Sequence, residues 1–487
     1  MFEPSTIHDY HDKLMNGTVS CVQTVQFYLQ KIEEKKHLNA FVEVYAQEAL
    51  DRASQLDLIQ KQGKPLGKLH AVVIGIKDVI CYKDHQVSAA SKILRGFTSL
   101  FSSTAVERLL EEGAIIIGNL NCDEFAMGST NENSSYGNVL NSLDETRVPG
   151  GSSGGSAVAV QAGLCMVALG SDTGGSVRQP ADFCGIVGFK PTYGLISRHG
   201  LIAYASSFDQ IGILASNIPD VSLVLEVIAG PDDYDSTVTQ KEPEIYSSKL
   251  DIDKIQKYRI TYFEDALFHP SLDTEIRDQI LQSIDQLIAD GHSVQPVQFE
   301  LMDYLVSTYY VLTTAEASSN LSRYDGVKYG YRSKSDQLDL TDFYKNTRSE
   351  GFGKEVKRRI MLGTFVLSTG YYDAYFTKAQ QIRNLLSEKL SLIFNDFDFI
   401  LMPNSPTTAF KIAEKTEDPV SMYLADIYTV MANLIGIPAI SIPLYKHSNG
   451  MPFGLQIMSN RFNELALLRF AHQTMQQLVV VDGKAID

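Results

Sequence analysis

Residues 149–191 read PGGSSGGSAVAVQAGLCMVALGSDTGGSVRQPADFCGIVGFKP, and the rest of the chain is predicted to be organised around them. Two Gly/Ser turns, at residues 150–155 and 172–176, flank an almost wholly apolar segment at residues 157–169. Glycines beside serines permit unusual backbone angles and expose N–H groups, as an oxyanion site requires of its donors. A flexible linker would be polar throughout. We therefore expect a buried helix, or a helix and a strand, between two functional turns.

The composition of the chain is that of a globular protein with a large core. It has 487 residues, of which 44% are hydrophobic and 21% are charged. The formal charge of −16 argues against an extended nucleic-acid-binding face, which would need clustered Lys and Arg. The densest basic run is KEVKRR at residues 354–359. Any contact with nucleic acid is therefore expected through a partner or a local patch.

The cysteines and the N-terminus indicate a cytoplasmic protein. The five cysteines are scattered, odd in number and without a CxxC pair, so neither a disulfide framework nor a zinc site is expected. Residues 1–17 lack the basic and apolar regions of a signal peptide. No apolar run reaches the roughly 18 residues that span a bilayer. We expect a reducing compartment and no membrane partner.

Helical and β-branched segments alternate along the chain, which is typical of an α/β architecture. Strand-like runs occur at residues 69–79, 114–118, 258–262 and 397–402. We interpret residues 1–487 as a single domain, because no clear boundary interrupts the pattern. Its predicted parts are an N-terminal helical segment at about 1–65, a Gly/Ser core at about 66–215 and a polar surface excursion at about 230–257.

The usual base and the usual nucleophile motif are both poor matches to this sequence. A hydrolytic serine needs a base, yet all ten histidines lie outside residues 86–198, although folding could bring one in. Ser153 satisfies the G-x-S-x-G pattern, which should follow a buried strand. The preceding residues 142–149 are polar and end in proline. We therefore disfavour Ser153 as the nucleophile.

A lysine and two serines offer a better arrangement. Ser176 follows two glycines, so its hydroxyl can be exposed while neighbouring N–H groups point toward a developing oxyanion. Ser152 can both donate and accept, so it can relay a proton to a neutral lysine. Lys77 closes an apolar run, where burial would lower its pKa and make it a base. Lys190 is also available, and the residue types alone do not choose between the two lysines.

Three segments of the sequence resemble the defining pattern of the amidase signature family. They lie at residues 150–156, 170–180 and 188–192, and the similarity extends over essentially the whole chain. The resemblance implies an α/β fold with a mixed central β-sheet covered by helices. It also implies a Ser-cis-Ser-Lys catalytic group and no metal or organic cofactor in this chain.

The resemblance assigns a role to each residue of the two turns. It makes Ser176 the acyl-forming nucleophile, Ser152 the bridging cis-serine and Lys77 the base, and it leaves Lys190 a structural role. It also places the oxyanion donors among the backbone N–H groups of Thr173, Gly174, Gly175 and Ser176.

More specific similarity points to one branch of this family. Residues 316–323, 348–363 and 370–375 resemble the A subunits of the tRNA-dependent amidotransferases, which act on Glu-tRNA(Gln) or Asp-tRNA(Asn). The resemblance implies a glutaminase that passes ammonia to partner subunits B and C. In that complex the partner is expected to use ATP and Mg²⁺ and to make most of the contacts with Glu-tRNA(Gln). A stand-alone amidase for another small amide and a catalytically inactive scaffold are the alternatives.

The resemblance further implies a glutamine pocket built from three side chains. Arg359 would bind the α-carboxylate of glutamine, Asp426 would bind its α-amino group, and Tyr310 would line the pocket. A guanidinium suits a carboxylate, and an aspartate suits an ammonium group. The loop at residues 127–131 departs from common members of the family, so it does not predict substrate contacts.

Overall fold

Eleven strands form one mixed sheet in the computed structural model, which describes residues 6–250, 256–334, 339–414 and 423–481. The strand order is β1-β3-β2-β4-β6-β5-β10-β11-β9-β7-β8. The pairs β3-β2, β2-β4, β9-β7 and β7-β8 are parallel, and the other neighbours are antiparallel. The predicted mixed central sheet is thereby confirmed. The strands are β1 (Phe41–Val44), β2 (Val73–Lys77), β3 (Ile115–Leu120), β4 (Val167–Asp172), β5 (Val187–Lys190), β6 (Gln210–Ala215), β7 (Arg259–Phe263), β8 (Ser293–Val297), β9 (Phe399–Pro403), β10 (Ala439–Lys446) and β11 (Pro452–Ser459).

Helices connect and cover these strands. Several begin at a side-chain cap; at α2, for example, Ser20 and Gln23 form a reciprocal capping box that satisfies two backbone N–H groups. The helices are α1 (Ile7–Met15), α2 (Cys21–Glu34), α3 (Ala46–Lys61), α4 (Thr104–Glu111), α5 (Gly154–Gln161), α6 (Arg178–Cys184), α7 (Ile218–Ile228), α8 (Glu264–Leu267), α9 (Thr274–Ala289), α10 (Met302–Asn320), α11 (Leu340–Gly351), α12 (Lys354–Val366), α13 (Lys378–Asp396), α14 (Val430–Ile435) and α15 (Glu464–Val481).

The sheet carries a hydrophobic core on each of its faces. Along β2, Val73 belongs to one buried cluster and Ile74 to the other. Along β4, Ala168 and Leu169 likewise belong to different clusters. Successive side chains of a strand point to opposite faces, so strands buried on both faces must be apolar throughout. This requirement explains the continuous β-branched runs in the sequence.

The segment between the two Gly/Ser turns forms a helix and a strand, α5 and β4, which was one of the two expected outcomes. Because β2 and β4 are parallel neighbours, the carboxyl end of β4 emerges beside Lys77 at the end of β2. Functional groups in α/β sheets gather at such ends. The fold therefore brings the predicted base to the second turn.

Three parts of the chain differ from the sequence expectations or complete them. The segment at about 1–65 is helical but also contributes β1, which lies at one end of the sheet order. The long helical stretch near residues 355–394 is divided into α12 and α13, with a π-helical turn at Asp373–Thr377 before α13. Of the excursion at about 230–257, residues 251–255 lie outside the described residues, and Tyr246 and Leu250 are buried in the core.

Three further observations concern the cysteines, the helices and possible metal ligands. All five cysteines are free and buried. In the described ranges, no helix is long and apolar enough to cross a membrane, and no group of three or more His, Cys, Asp or Glu side chains is arranged to hold a metal ion.

Candidate active site

Lys77 is fully buried and surrounded by serines. Its Nζ lies 2.7 Å from Ser152 Oγ, 2.9 Å from Ser153 Oγ and 2.9 Å from Ser171 Oγ. Burial lowers the pKa of Lys77 to about 8, because the charged form loses its hydration. At neutral pH about one molecule in ten then carries the uncharged amine that can accept a proton. This lysine meets the requirements for a general base.

Lys190 occupies a different environment, which favours Lys77 over Lys190 as the base. Its Nζ donates to the backbone carbonyls of Pro191, at 3.0 Å, and Ile437. Burial lowers the pKa of Lys190 to about 7, but its described contacts include no serine hydroxyl. The side chain joins the end of β5 to the loop before β10, which is a structural role.

The two Gly/Ser turns are joined at the predicted catalytic residues. The peptide bond between Gly151 and Ser152 is cis, and the next N–H, of Ser153, donates to the carbonyl of Ser176 at 3.2 Å. Ser176 retains 8% exposure, whereas Ser152 and Ser153 are inaccessible to solvent. Ser176 can therefore meet a substrate, but Ser153 cannot.

Only one half of the predicted proton relay is present as a hydrogen bond. Lys77 and Ser152 are in contact, as given above, whereas in the part of the chain that the structure describes the hydroxyl of Ser176 makes no hydrogen bond to Ser152. Hydrogen bonds at catalytic sites are often long without substrate and shorten when it binds. The step from Ser176 to Ser152 therefore stays a prediction.

The backbone of the second turn offers donors for an oxyanion. The N–H of Gly175 is directed to Asp172 Oδ1 at 2.9 Å. Among the described residues, the N–H groups of Thr173, Gly174 and Ser176 donate to no partner. In this conformation three of the four predicted donors remain available to a ligand oxygen. Gly175 contributes through its backbone conformation.

Two glycines of the turn have no room for a side chain. A Cβ on Gly174 would lie 2.4 Å from Tyr309 Oη, and one on Gly175 would lie 2.3 Å from Thr429 Oγ1. Gly175 also has a φ of +124°, which other residues rarely adopt. The turn is therefore pressed against α10 and the segment before α14, and only glycine allows this approach.

A buried ion pair between Asp172 and Arg178 stabilises the second Gly/Ser turn. Asp172 accepts two hydrogen bonds from Arg178, at 3.1 Å from Nε and 2.9 Å from Nη2. Burial by itself would raise the pKa of Asp172, but the charge and hydrogen bonds of Arg178 hold it below its ordinary value. Arg178 also donates to the carbonyl of Thr429 at 2.9 Å. The carboxylate can thus orient the turn without being protonated.

Asp426 lies in the predicted glutamine pocket with two hydroxyl donors. Tyr310 donates to Asp426 Oδ2 at 2.8 Å, and Ser129 donates to Asp426 Oδ1 at 2.8 Å. Burial raises the pKa of Asp426 to about 6, which still leaves the carboxylate charged at neutral pH. A buried carboxylate of this kind is suited to an ammonium group.

Arg359 stands beside the same tyrosine. Its guanidinium carbon lies 5.2 Å from the centre of the Tyr310 ring, within cation–π range. Its Nε donates to Glu355 at 2.9 Å, and its Nη1 donates to Tyr204 Oη at 2.8 Å. The side chain is 4% exposed, so its charge is sheltered from water. Tyr310 thereby carries a cation on its face and a carboxylate at its hydroxyl.

Hydrogen bonds connect the pocket to the catalytic turn. Thr429, three residues after Asp426, donates to the carbonyl of Gly174 at 2.6 Å. On the other side, Asp209 accepts from Thr173 Oγ1 at 2.7 Å and from the N–H of Tyr204 at 2.9 Å. Tyr204 in turn binds Arg359. The residues that would hold a substrate are therefore linked to those that would react with it.

Sequence reasoning missed several members of the site. Their contacts come from segments far apart in the chain, so no local spacing announces them. A partial signal existed for some, since two of the serines around Lys77 lie within or beside the quoted turns. The missed residues are Ser129, Ser153 as a contact of Lys77, Ser171, Tyr204, Asp209, Glu355 and Thr429.

A mixed sheet with a buried lysine, a cis-serine and a Gly-Gly-Ser turn defines an amidase-type hydrolase, and the amidase family model matches residues 23–468. The chain belongs to the amidase family. Within it, the chain is 49% identical to the A subunit of the glutamyl-tRNA(Gln) amidotransferase of Chlorobaculum parvum, over 95% of this chain and 96% of that protein. It is 48% identical to the A subunit of the corresponding enzyme of Pelodictyon phaeoclathratiforme, over 97% and 99%.

Solved structures show the same similarity. The A subunit of the glutamyl-tRNA(Gln) amidotransferase of Thermotoga maritima superposes with a TM-score of 0.77 at 36% identity, covering 96% of this chain and 93% of that one. The peptide amidase of Stenotrophomonas maltophilia gives a TM-score of 0.81 at 27% identity, with 97% of each chain covered. The fold is therefore common to enzymes with different amide substrates, and the pocket must distinguish them.

Proposed function

We propose that this chain is the glutaminase subunit of a tRNA-dependent amidotransferase. It hydrolyses glutamine to glutamate and supplies ammonia for the ATP-dependent conversion of Glu-tRNA(Gln) to Gln-tRNA(Gln). One observation supports the choice of substrate: Tyr310 contacts both Arg359, at the face of its ring, and Asp426, at its hydroxyl group. A buried cation and a buried carboxylate complement the α-carboxylate and α-ammonium of an amino acid.

The reaction would begin with a transfer of two protons. Ser152 gives its hydroxyl proton to the neutral amine of Lys77 and takes the proton of Ser176. The oxygen of Ser176 then attacks Cδ of glutamine, and the resulting oxyanion accepts hydrogen bonds from the free N–H groups of the turn. A preorganised donor of this kind contributes on the order of 3 kcal/mol to the transition state.

The second half of the reaction returns the protons. The bond between Cδ and the amide nitrogen breaks as that nitrogen takes a proton from Lys77 through Ser152, and ammonia leaves. Water then attacks the γ-glutamyl ester, giving up a proton along the same relay. Glutamate is released and Ser176 regains its hydroxyl. The cycle consumes one water and yields one glutamate and one ammonia.

The remaining chemistry is assigned to the partner subunits B and C. We place ATP and Mg²⁺ in the partner that activates Glu-tRNA(Gln), and we assign most of the tRNA contacts to that partner. The names of the relatives support this assignment, because they describe the A subunit of a larger enzyme. We propose a cytoplasmic location, in keeping with a tRNA substrate.

The test is amidation by the assembled enzyme. The chain is co-expressed with the B and C subunits of the same organism, and glutamine-dependent formation of Gln-tRNA(Gln) is measured with ATP and Mg²⁺. We expect product with wild type, none with Ser176→Ala when glutamine is the donor, and full recovery of that variant when ammonia is added. Hydrolysis of simple aliphatic amides by the isolated chain, without amidation by the complex, would favour a stand-alone amidase. Absence of Ser176 labelling by a glutamine analogue would favour an inactive scaffold.

A further inference from the structure

A cluster of large apolar side chains is exposed at the end of α12 and in the turn that follows. We call the side chains of Met361, Phe365, Tyr371, Tyr372 and Tyr375 the aromatic patch. Their exposed fractions are 73, 42, 45, 45 and 43%. Together they present on the order of 500 Å² of surface, which is the size of the largest apolar patch on a typical monomer and is often functional.

Three aromatic side chains at the centre of the patch contact one another. The ring of Phe365 lies 4.3 Å from that of Tyr371 and 5.8 Å from that of Tyr375. The π-helical turn Asp373–Thr377 carries Tyr375, and such turns are frequent at functional sites. Because these rings already support one another, a partner could bind them with little loss of side-chain entropy.

The proposed reaction leaves this patch without a role. Residues 370–375 form one of the segments that resemble A subunits specifically, yet all six are exposed. The patch shares α12 with the pocket, however. Arg359 is buried on the inner side of that helix, and Met361, two residues later, faces solvent. The aromatic patch therefore includes the solvent side of the helix whose inner side carries Arg359, a residue assigned to substrate binding.

The distribution of charge across the patch favours a protein over a nucleic acid. Residues 361–377, at its centre, contain no Lys or Arg and one acidic residue, Asp373, whereas Lys357, Arg358 and Lys378 lie at its edges. Aromatic side chains that stack on nucleic-acid bases are accompanied by cations that neutralise the phosphates. Protein interfaces, in contrast, are enriched in Tyr, Phe and Met and depleted of charge at their centres. The patch matches the second composition.

We propose that the aromatic patch is the docking surface for the partner subunit that receives ammonia, an inference that rests on the proposed function. A stable interface buries roughly 800 Å² on each partner, so the patch has the area of an interface centre that polar residues would surround. Docking on the outer side of α12 fixes the helix that carries Arg359. The partner thereby acts on glutamine binding as well as on ammonia transfer.

The experiment compares two methionines in the complete chain, Met361→Glu in the patch and Met15→Glu on α1. Both wild-type side chains are largely exposed, at 73 and 67%, so neither substitution buries a charge in the chain. Binding to the purified B and C subunits is measured by analytical ultracentrifugation. We expect Met361→Glu to raise the dissociation constant at least tenfold and Met15→Glu to leave it unchanged. Phe365→Ser is expected to act as Met361→Glu does.

A readout on the isolated chain separates docking from damage to the site. Labelling of Ser176 by a glutamine analogue should proceed at the wild-type rate in the isolated Met361→Glu variant. Unchanged assembly of both patch variants would overturn the proposal, as would normal assembly with weakened tRNA binding, or a wild-type homodimer that Met361→Glu dissociates. Failure of the proposed function looks different, since the wild-type chain would then bind neither of the two partners.

Discussion

At the scale of single residues, the proposed chemistry depends on one lysine that the fold shields from water. An exposed lysine has a pKa near 10.4 and carries a proton at neutral pH. Lys77 lies at the buried end of a strand and is surrounded by neutral hydroxyl groups, which bind its amine without stabilising the charge as a carboxylate would. The proposed activation of Ser176 therefore depends on the burial of this one amine.

The pH dependence of acylation should report the titration of Lys77. The base is the neutral amine. Its fraction rises with pH and levels off once the pH exceeds the pKa of Lys77, about 8. The rate of Ser176 labelling by a glutamine analogue should therefore increase about tenfold per pH unit below pH 7 and level off above pH 8 to 9. Stopped-time labelling from pH 6 to 9.5 measures this profile. A flat rate below pH 7 would contradict the assignment.

The two buried lysines should give opposite results when each is removed. Lys77→Ala is expected to abolish labelling of Ser176 with little change in fold, because its partners are serines that can bond to one another. Lys190→Ala leaves the carbonyls of Pro191 and Ile437 without a donor, which should lower the free energy of unfolding by about 2–4 kcal/mol while labelling persists. Labelling and thermal unfolding are measured on both. Equal loss of labelling in two well-folded variants would contradict this division of roles.

At the scale of elements, the site is assembled where separate segments meet around the second Gly/Ser turn. The turn follows β4, the base ends β2, and the pocket comes from α10, α12 and the segment before α14. Glycines at positions 174 and 175 allow Tyr309 and Thr429 to approach the backbone closely. Helix positions therefore control the geometry of the oxyanion donors.

Thr429 provides a test of this connection. Thr429→Val keeps the shape of the side chain but removes the hydrogen bond to the carbonyl of Gly174, worth about 1–2 kcal/mol. We expect kcat for glutamine hydrolysis by the complex to fall about tenfold, with KM changed less than threefold, because the turn and not the pocket is loosened. Steady-state kinetics measure both constants. Thr429→Ser, which keeps the hydroxyl, should restore kcat; if it behaves like Thr429→Val, the hydrogen bond is not the cause.

At the scale of the whole molecule, charge and exposed surface separate two kinds of partner. The net charge of −16 opposes binding of polyanions, whereas the aromatic patch offers an apolar surface to a protein. These features agree with a division of labour in which this chain makes ammonia and another protein of the complex holds the tRNA.

The isolated chain should accordingly bind tRNA weakly. We expect no saturable binding of Glu-tRNA(Gln) at concentrations up to tens of micromolar and about 0.15 M salt, because few cations are clustered to release counterions. Filter binding or fluorescence anisotropy, with the assembled complex as the positive control, measures this difference. Micromolar binding by the isolated chain would show that a local basic patch, such as residues 354–359, is sufficient.

Several parts of the fold and of the candidate site could be predicted from the sequence, because they depend on the local conformation and burial of the chain. Two glycines before Ser176 and two before Ser152 are needed by the backbone itself, and apolar β-branched runs are needed by strands that are covered on both faces. Resemblance to the amidase family extended these patterns to Lys77, Arg359, Asp426 and Tyr310, and the structure gathers these residues around the turn.

Only the tertiary structure shows the surroundings that distinguish Lys77, which the resemblance predicts as the base, from Lys190, and the groups that support the predicted pocket. Lys77 and Lys190 are both buried at strand ends, so residue type and local pattern treat them alike. They differ in their hydrogen-bond partners: serines within or beside the two turns surround Lys77, whereas Lys190 donates to the carbonyl of the adjacent Pro191 and to that of the distant Ile437. The contacts of Ser129 with Asp426 and of Tyr204 with Arg359 join residues more than a hundred positions apart. Such partners are set by how the sheet brings strand ends together, which no local stretch of sequence encodes.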